Sequence, residues 1–101
     1  MKSIYIIGDM HTVSAFRTCG IEGVVSGRDS APARLEEVIG KEDARIVVIT
    51  NDLAEDLQTR IAEINMESPN TVVIKVPGID DTKGFRGSVV DYISEALGIA
   101  L

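Results

Sequence analysis

The run IVVI at residues 46–49 consists of four β-branched residues with no polar residue between them. Outward along the chain, similar apolar runs occur as GVV at residues 23–25, IYII at residues 4–7 and VVI at residues 72–74. Short apolar runs without polar alternation are typical of strands buried on both faces, as in a parallel sheet covered by helices. The runs at residues 4–7, 46–49 and 72–74 therefore predict strands buried on both faces, and the run at residues 23–25 predicts a fourth strand.

Helices are predicted in the three segments between these runs, at about residues 12–19, 32–39 and 52–65, from the spacing of their apolar residues. Asn51 or Asp52 is the expected N-cap of the third helix. Because strands alternate with helices, right-handed βαβ units should produce a parallel sheet. We predict an α/β fold of the flavodoxin-like or receiver-like, Rossmann-like kind, with four strands in the order 2-1-3-4.

The composition changes after the fourth run. A polar, charged stretch flanked by glycine is typical of a linker, and the final segment carries Val89, Ile93 and Leu97 on one side of a predicted amphipathic helix. Periodicity alone favours packing of this helix on its own domain over insertion into the groove of a partner. The predicted organisation is an α/β sheet domain at residues 1–78, a linker at residues 79–85 and a C-terminal helix at residues 86–101.

Charge and composition exclude several classes of function. The chain has 16 acidic and 10 basic residues, and its lysines and arginines are scattered singly, which argues against binding to nucleic acid or anionic membranes. The single cysteine excludes an internal disulfide and a multi-cysteine metal site. No apolar run approaches the roughly 20 residues that span a bilayer. We therefore expect a cytoplasmic protein with no direct membrane insertion.

Polar residues follow the predicted strands where ligands bind in such sheets, beyond the carboxyl ends of the first and third strands. Asp9 follows the first strand, Asp52 follows the third, and Lys75 lies near the end of the fourth. Two carboxylates at this place could hold Mg²⁺, and the arrangement resembles the receiver domains of two-component signalling, with Asp52 as phosphoacceptor and Asp9 as metal ligand. The simpler interpretation, which we favour, is that both aspartates are turn and cap residues. A small-ligand site at the same crevice is a third alternative.

No catalytic site is predicted. The only histidine, His11, has no cysteine or second histidine with which to share a metal, and no glycine-rich phosphate loop is present. Cys19 lies three residues after Phe16 on the predicted first helix, so we expect a small buried side chain rather than a nucleophile. The sequence thus predicts no catalytic residue, no metal site and no cofactor.

The order and spacing of several short motifs resemble the F subunit of the archaeal and vacuolar-type (A/V-type) rotary ATPases. The resemblance covers essentially the whole chain. Its motifs are IGD at residues 7–9, TV at 12–13, FR at 16–17, GI at 20–21, and VPG at 76–78 followed by the C-terminal segment at 88–98. The chain departs from the family pattern in Met10-His11, Thr18-Cys19 and Lys75.

This resemblance implies a non-catalytic rotor subunit that acts on no small-molecule substrate. It implies binding to the coiled-coil D subunit of the central stalk, inside the ring of A and B subunits that forms the catalytic head. It also implies coupling of ATP synthesis or hydrolysis to proton or sodium transport, at the membrane periphery through the complex. Candidate partner contacts are Phe16 and Arg17 at the stalk, and Val89, Ile93 and Leu97 on the C-terminal helix.

Overall fold

The computed structural model of the chain describes residues 3–78, in which four parallel strands form one sheet. The strands are β1 (Ile4–Gly8), β2 (Glu22–Val25), β3 (Ile46–Thr50) and β4 (Val72–Val76). They lie in the order β2-β1-β3-β4, so β1 and β3 are central and β2 and β4 are the two edges. The predicted α/β class, parallel sheet and strand order are confirmed. The predicted linker and C-terminal helix lie outside the described residues.

Helices cover both faces of the sheet. Those within the described residues are α1 (Met10–Thr18), α2 (Ala31–Ile39), α3 (Asn51–Ala54) and α4 (Gln58–Glu67). The buried side chains of α1 pack on one face, and those of α2, α3 and α4 pack on the other. Within residues 3–78, none of these helices is long and apolar enough to cross a bilayer.

Alternate residues of β1, β3 and β4 supply the two halves of the core, which explains why these runs lack polar alternation. The residues that face α2, α3 and α4 are Tyr5, Ile7, Val47, Ile49 and Val73. Those on the α1 face are Ile6, Ile46, Val48, Ile74 and Val76, joined there by Val13 and Phe16 of α1. Full burial of each such side chain contributes about 1.5–3 kcal/mol, so these two layers supply most of the stabilisation.

The third predicted helix is interrupted in the structure. A 3₁₀ turn at Glu55–Leu57 separates α3 from α4, and Leu57 has φ −118° and ψ 13°, outside the helical range. The apolar side chains of all three pieces still point to one core, which is why the sequence pattern resembles that of a single helix. The spacing of apolar residues indicates which face is buried, but it does not indicate where the backbone hydrogen bonding changes.

The predicted caps of that third helix are wrong. Thr50 occupies the N-cap position and makes no side-chain capping bond, while Asn51 and Asp52 lie within the first turn of α3. The reason is that α3 begins directly after β3, so no residue remains between them to act as a separate cap. The proline-led start of α2 and its end at Gly40 agree with the pattern in the sequence.

Close packing of α1 on β2 depends on the absence of a side chain at Gly23. A β-carbon at this position would lie 2.5 Å from Cγ1 of Val13 and 3.0 Å from Cγ2 of Ile6. Both neighbours are fully buried, so neither can move aside without disturbing the core. Gly27, by contrast, has no atom within 4 Å of the equivalent position.

We expect Gly23→Ala to lower the free energy of unfolding by about 1–3 kcal/mol, because the added methyl group overpacks the contact between α1 and β2. The matched control Gly27→Ala should change it by less than about 0.5 kcal/mol. Urea denaturation of the two full-length variants, followed by circular dichroism, measures the difference. Equal unfolding midpoints for the two variants would contradict this account of Gly23.

Candidate functional site

The carboxyl ends of β1 and β3 meet at Gly8 and Thr50. A β-carbon at Gly8 would lie 2.8 Å from Cγ2 of Thr50 and 3.7 Å from Cβ of Thr12. Both threonines are fully buried, and Oγ1 of Thr50 is enclosed without a hydrogen-bond partner among the described residues. The floor of the crevice between these strands is therefore filled by threonine side chains, and Gly8 is the residue that makes room for them.

Asp9 caps the N-terminus of α1. Its Oδ2 accepts a hydrogen bond of 3.1 Å from the backbone N–H of Thr12, and its Oδ1 accepts one of 2.6 Å from the Thr12 hydroxyl. Partial burial alone would raise the pKa of the Asp9 carboxyl, but the hydrogen bonds from Thr12 outweigh it and hold that pKa below its usual value. The favoured interpretation of Asp9 as a cap residue is confirmed.

The other two candidate phosphoacceptor-site residues are both exposed. Asp52 is exposed in the first turn of α3, where a carboxylate interacts favourably with the helix dipole. Lys75 is exposed on β4 and pairs in register with Ile49. Within residues 3–78, no group of three histidine, cysteine, aspartate or glutamate side chains is placed to hold a metal ion.

The candidate stalk contacts differ in exposure. Phe16 is 6% exposed, and its side chain packs from α1 into the core. Arg17 is exposed, and its Nη2 donates a hydrogen bond of 3.0 Å to the backbone carbonyl of Gly23 on β2. Val89, Ile93 and Leu97 lie outside the described residues.

Cys19 is exposed, so the prediction of a buried side chain is wrong. The prediction required the helix to continue through Cys19. Instead, α1 ends at Thr18, and Cys19 has the non-helical angles φ −92° and ψ 7°. The chain then turns through Gly20 at φ 84°, a left-handed conformation that glycine adopts without strain.

An ion-pair cluster at the carboxyl edge was not predicted from the sequence. Arg28, in the loop after β2, donates from Nη2 to Glu55 and Asp56 of the 3₁₀ turn at 3.2 Å each. The hydrogen bond to Glu55 and the charge of Asp56 raise the pKa of the Arg28 guanidinium above its usual value. The partners lie 27 and 28 residues away along the chain, so no local pattern indicates the pairing. All three side chains are at least half exposed, and such a cluster adds little to stability.

A shallow cavity of about 560 Å³ opens at the opposite end of the sheet, beside the amino ends of β1, β3 and β4. Ser3, Arg45, Asn65 and the turn after α4 are among the residues that line it. It lies away from the carboxyl ends, where ligands bind in sheets of this kind.

The motif residues of the first βαβ unit thus share one property, which is that each performs a structural task. Gly8 admits Thr50, Asp9 caps α1, Phe16 fills the core, Arg17 bonds to β2 and Gly20 turns the chain. The fold and the site together define a small α/β domain of flavodoxin-like strand order whose signature residues maintain the fold.

The family model described as "ATP synthase (F/14-kDa) subunit" matches residues 4–94, and the chain belongs to this family of ATP synthase subunits. The chain is 24% identical over 98 residues to the F subunit of the A-type ATP synthase of Methanocaldococcus jannaschii, covering 95% of each protein. It is 25% identical over 104 residues to the F subunit of the A-type ATP synthase of Thermococcus kodakarensis, covering 97% of this chain and 96% of that protein. The resemblance inferred from the motifs is confirmed.

We expect Asp9→Ala to lower the free energy of unfolding by about 1 kcal/mol at neutral pH, because α1 loses its N-cap. The control Asp52→Ala should change it by less than about 0.5 kcal/mol. The pKa of Asp9 is lowered in the folded state, so its contribution is present above the unfolded pKa of about 3.9 and is lost as the pH falls through the folded value. Denaturation of both variants at neutral and acidic pH measures this, and an Asp9→Ala deficit that persists in strong acid would contradict it.

The placement of Asp9 also bears on the phosphoacceptor hypothesis. The carboxylate of Asp9 is hydrogen-bonded to Thr12, and β3 ends in Thr50 rather than in an acidic residue. We therefore expect no phosphorylation of Asp52 by a small phosphodonor with Mg²⁺. Intact-mass spectrometry after incubation with acetyl phosphate is the measurement, with Asp52→Asn as the control. Mg²⁺-dependent labelling of the wild type that disappears in Asp52→Asn would support the receiver hypothesis instead.

Proposed function

We propose that this chain is a non-catalytic rotor subunit of a V/A-type ATP synthase, the F subunit of its central stalk. The observation that carries the proposal is the family match over residues 4–94. It is supported by relatives of nearly the same length that are named as the F subunits of A-type ATP synthases. In this role the chain couples ATP synthesis or hydrolysis to the transport of protons or sodium ions and catalyses neither reaction itself.

The proposed partners are other protein subunits of the same complex. The α/β domain binds the D subunit of the central stalk, and the C-terminal helix reaches the A and B subunits of the catalytic head. The protein is then cytoplasmic and held at the periphery of the membrane by the complex. Arg17 supports the stalk contact, because its exposed guanidinium can exchange the carbonyl of Gly23 for a carboxylate of a partner. Phe16, buried beneath α1, positions that helix for the contact.

The C-terminal helix at residues 86–101 is the proposed contact with the catalytic head, and residues 79–85 are the proposed linker that joins it to the α/β domain. Its apolar stripe of Val89, Ile93 and Leu97 fits a groove on a partner.

Affinity capture from the organism's own cell extract tests the assignment. Tagged full-length protein should recover the D subunit together with the A and B subunits, identified by mass spectrometry. A version truncated after Gly84 should still recover the D subunit and should lose the A and B subunits. Failure of the full-length protein to recover any other component of the ATP synthase would overturn the proposed function.

A matched pair of variants tests the apolar stripe within the full chain. Ile93→Asp/Leu97→Asp should reduce the recovery of the A and B subunits by more than about tenfold, because two carboxylates cannot enter an apolar contact without loss of affinity. Gly87→Asp/Ser88→Asp adds the same charge at positions that are not three or four residues from any member of the stripe, and it should preserve that recovery. Equal recovery with both variants would remove the stripe from the proposal while leaving the contact with the D subunit intact.

A further inference from the structure

The two edges of the sheet are closed to very different degrees. An open edge strand presents unpaired N–H and C=O groups and can pair with a strand of another chain. In a parallel ladder, the backbone groups of successive residues point alternately toward the neighbouring strand and away from it. The outward groups on β2 and β4 can therefore be assigned residue by residue.

The β4 edge is closed by a side chain. The N–H of Val72 bonds to the carbonyl of Arg45, so the backbone of Val72 points inward and that of Val73 points outward. Asn65 of α4 satisfies both outward groups of Val73. Its Oδ1 accepts from the N–H at 2.7 Å, and its Nδ2 donates to the carbonyl at 3.2 Å. A second strand cannot pair at Val73 without displacing both bonds.

The β2 edge is closed by a weaker contact. The N–H of Ser26 bonds to the carbonyl of Gly8, so Ser26 and Val24 point toward β1, and Gly23 and Val25 point outward. Arg17 of α1 covers the outward carbonyl of Gly23 through an exposed bond of 3.0 Å. The side chain of Val25 is 51% exposed on this edge, whereas Val76 at the end of β4 is fully buried.

The outer edge of β2 is complementary to itself. An antiparallel pairing about a twofold axis at Val24 would place Gly23 of one copy opposite Val25 of the second copy, and the reverse. These residues carry the outward N–H and C=O groups, so the pairing forms two hydrogen-bonded residue pairs. Gly23 of one copy has no side chain, so it leaves space for the exposed side chain of Val25 on the opposite strand. Such a pairing has to displace Arg17 from the carbonyl of Gly23.

We propose that the side chain of Arg17 blocks the β2 edge and keeps the free protein from pairing through β2 with a second copy of this chain. The bond from Arg17 to Gly23 performs on this edge the task that Asn65 performs on β4. It occupies the carbonyl that a second strand needs and places a positive charge beside it. The inference rests on the geometry of the edge and is independent of the proposed function.

Removal of the Arg17 side chain should produce a dimer. Arg17→Ala in the full chain should associate about tenfold more tightly than the wild type, and its mass in sedimentation equilibrium should rise from 10.9 kDa toward twice that value. Arg45→Ala is the control, because it removes the same charge from an exposed position at the opposite end of the sheet. Circular dichroism establishes that each variant is folded.

Two further measurements locate the contact. Arg17→Ala/Val25→Lys should be monomeric again, because a lysine on an edge strand opposes pairing. Hydrogen exchange at the amide of Val25 should slow in Arg17→Ala as the concentration rises, since that N–H enters the new ladder. The proposal is overturned if Arg17→Ala is as monomeric as the wild type across the same concentrations, if Arg45→Ala associates equally, or if Val25→Lys fails to reverse the association.

Discussion

The contact of Val13 with the bare α-carbon of Gly23 holds α1 against β2, and much of the molecule depends on it. Because α1 lies so close, Phe16 reaches the core and Arg17 reaches the carbonyl of Gly23. The same approach places the start of α1 over the end of β1, where Asp9 caps it. A single steric constraint therefore sets the geometry of the first βαβ unit and of everything that its signature residues contact.

This constraint changes how the signature motif is understood. Asp9 and Gly8 follow a strand at the place where parallel sheets bind ligands, and this placement by itself suggests chemistry. In the structure, Asp9 is committed to Thr12, and the space beside Gly8 is filled by Thr50. A motif whose residues all serve the fold suits a subunit that acts through its surfaces. It agrees with membership of a family of ATP synthase subunits.

The edges of the sheet show how a small parallel domain manages unpaired backbone groups. Four strands leave two edges, and a helix beside each edge contributes a side chain to it. Asn65 satisfies two groups through partly buried hydrogen bonds, whereas Arg17 satisfies one through an exposed bond. An exposed bond competes with water and is worth less than a buried one. The β2 edge is consequently the weaker of the two.

The sequence by itself determined the α/β class, the four strands and their order, because a strand buried on both faces requires an uninterrupted apolar run and βαβ units cross over with one hand. It also identified the family, because the motifs of the first βαβ unit keep their order and spacing. Only the tertiary structure decided the break at Leu57, the exposure of Cys19 and the pairing of Arg28 with Glu55. These features depend on local backbone angles and on residues distant along the chain, and periodicity carries neither. The roles of Gly23 and Arg17 were hidden for the same reason, since each is defined by an atom of another element that approaches it in space.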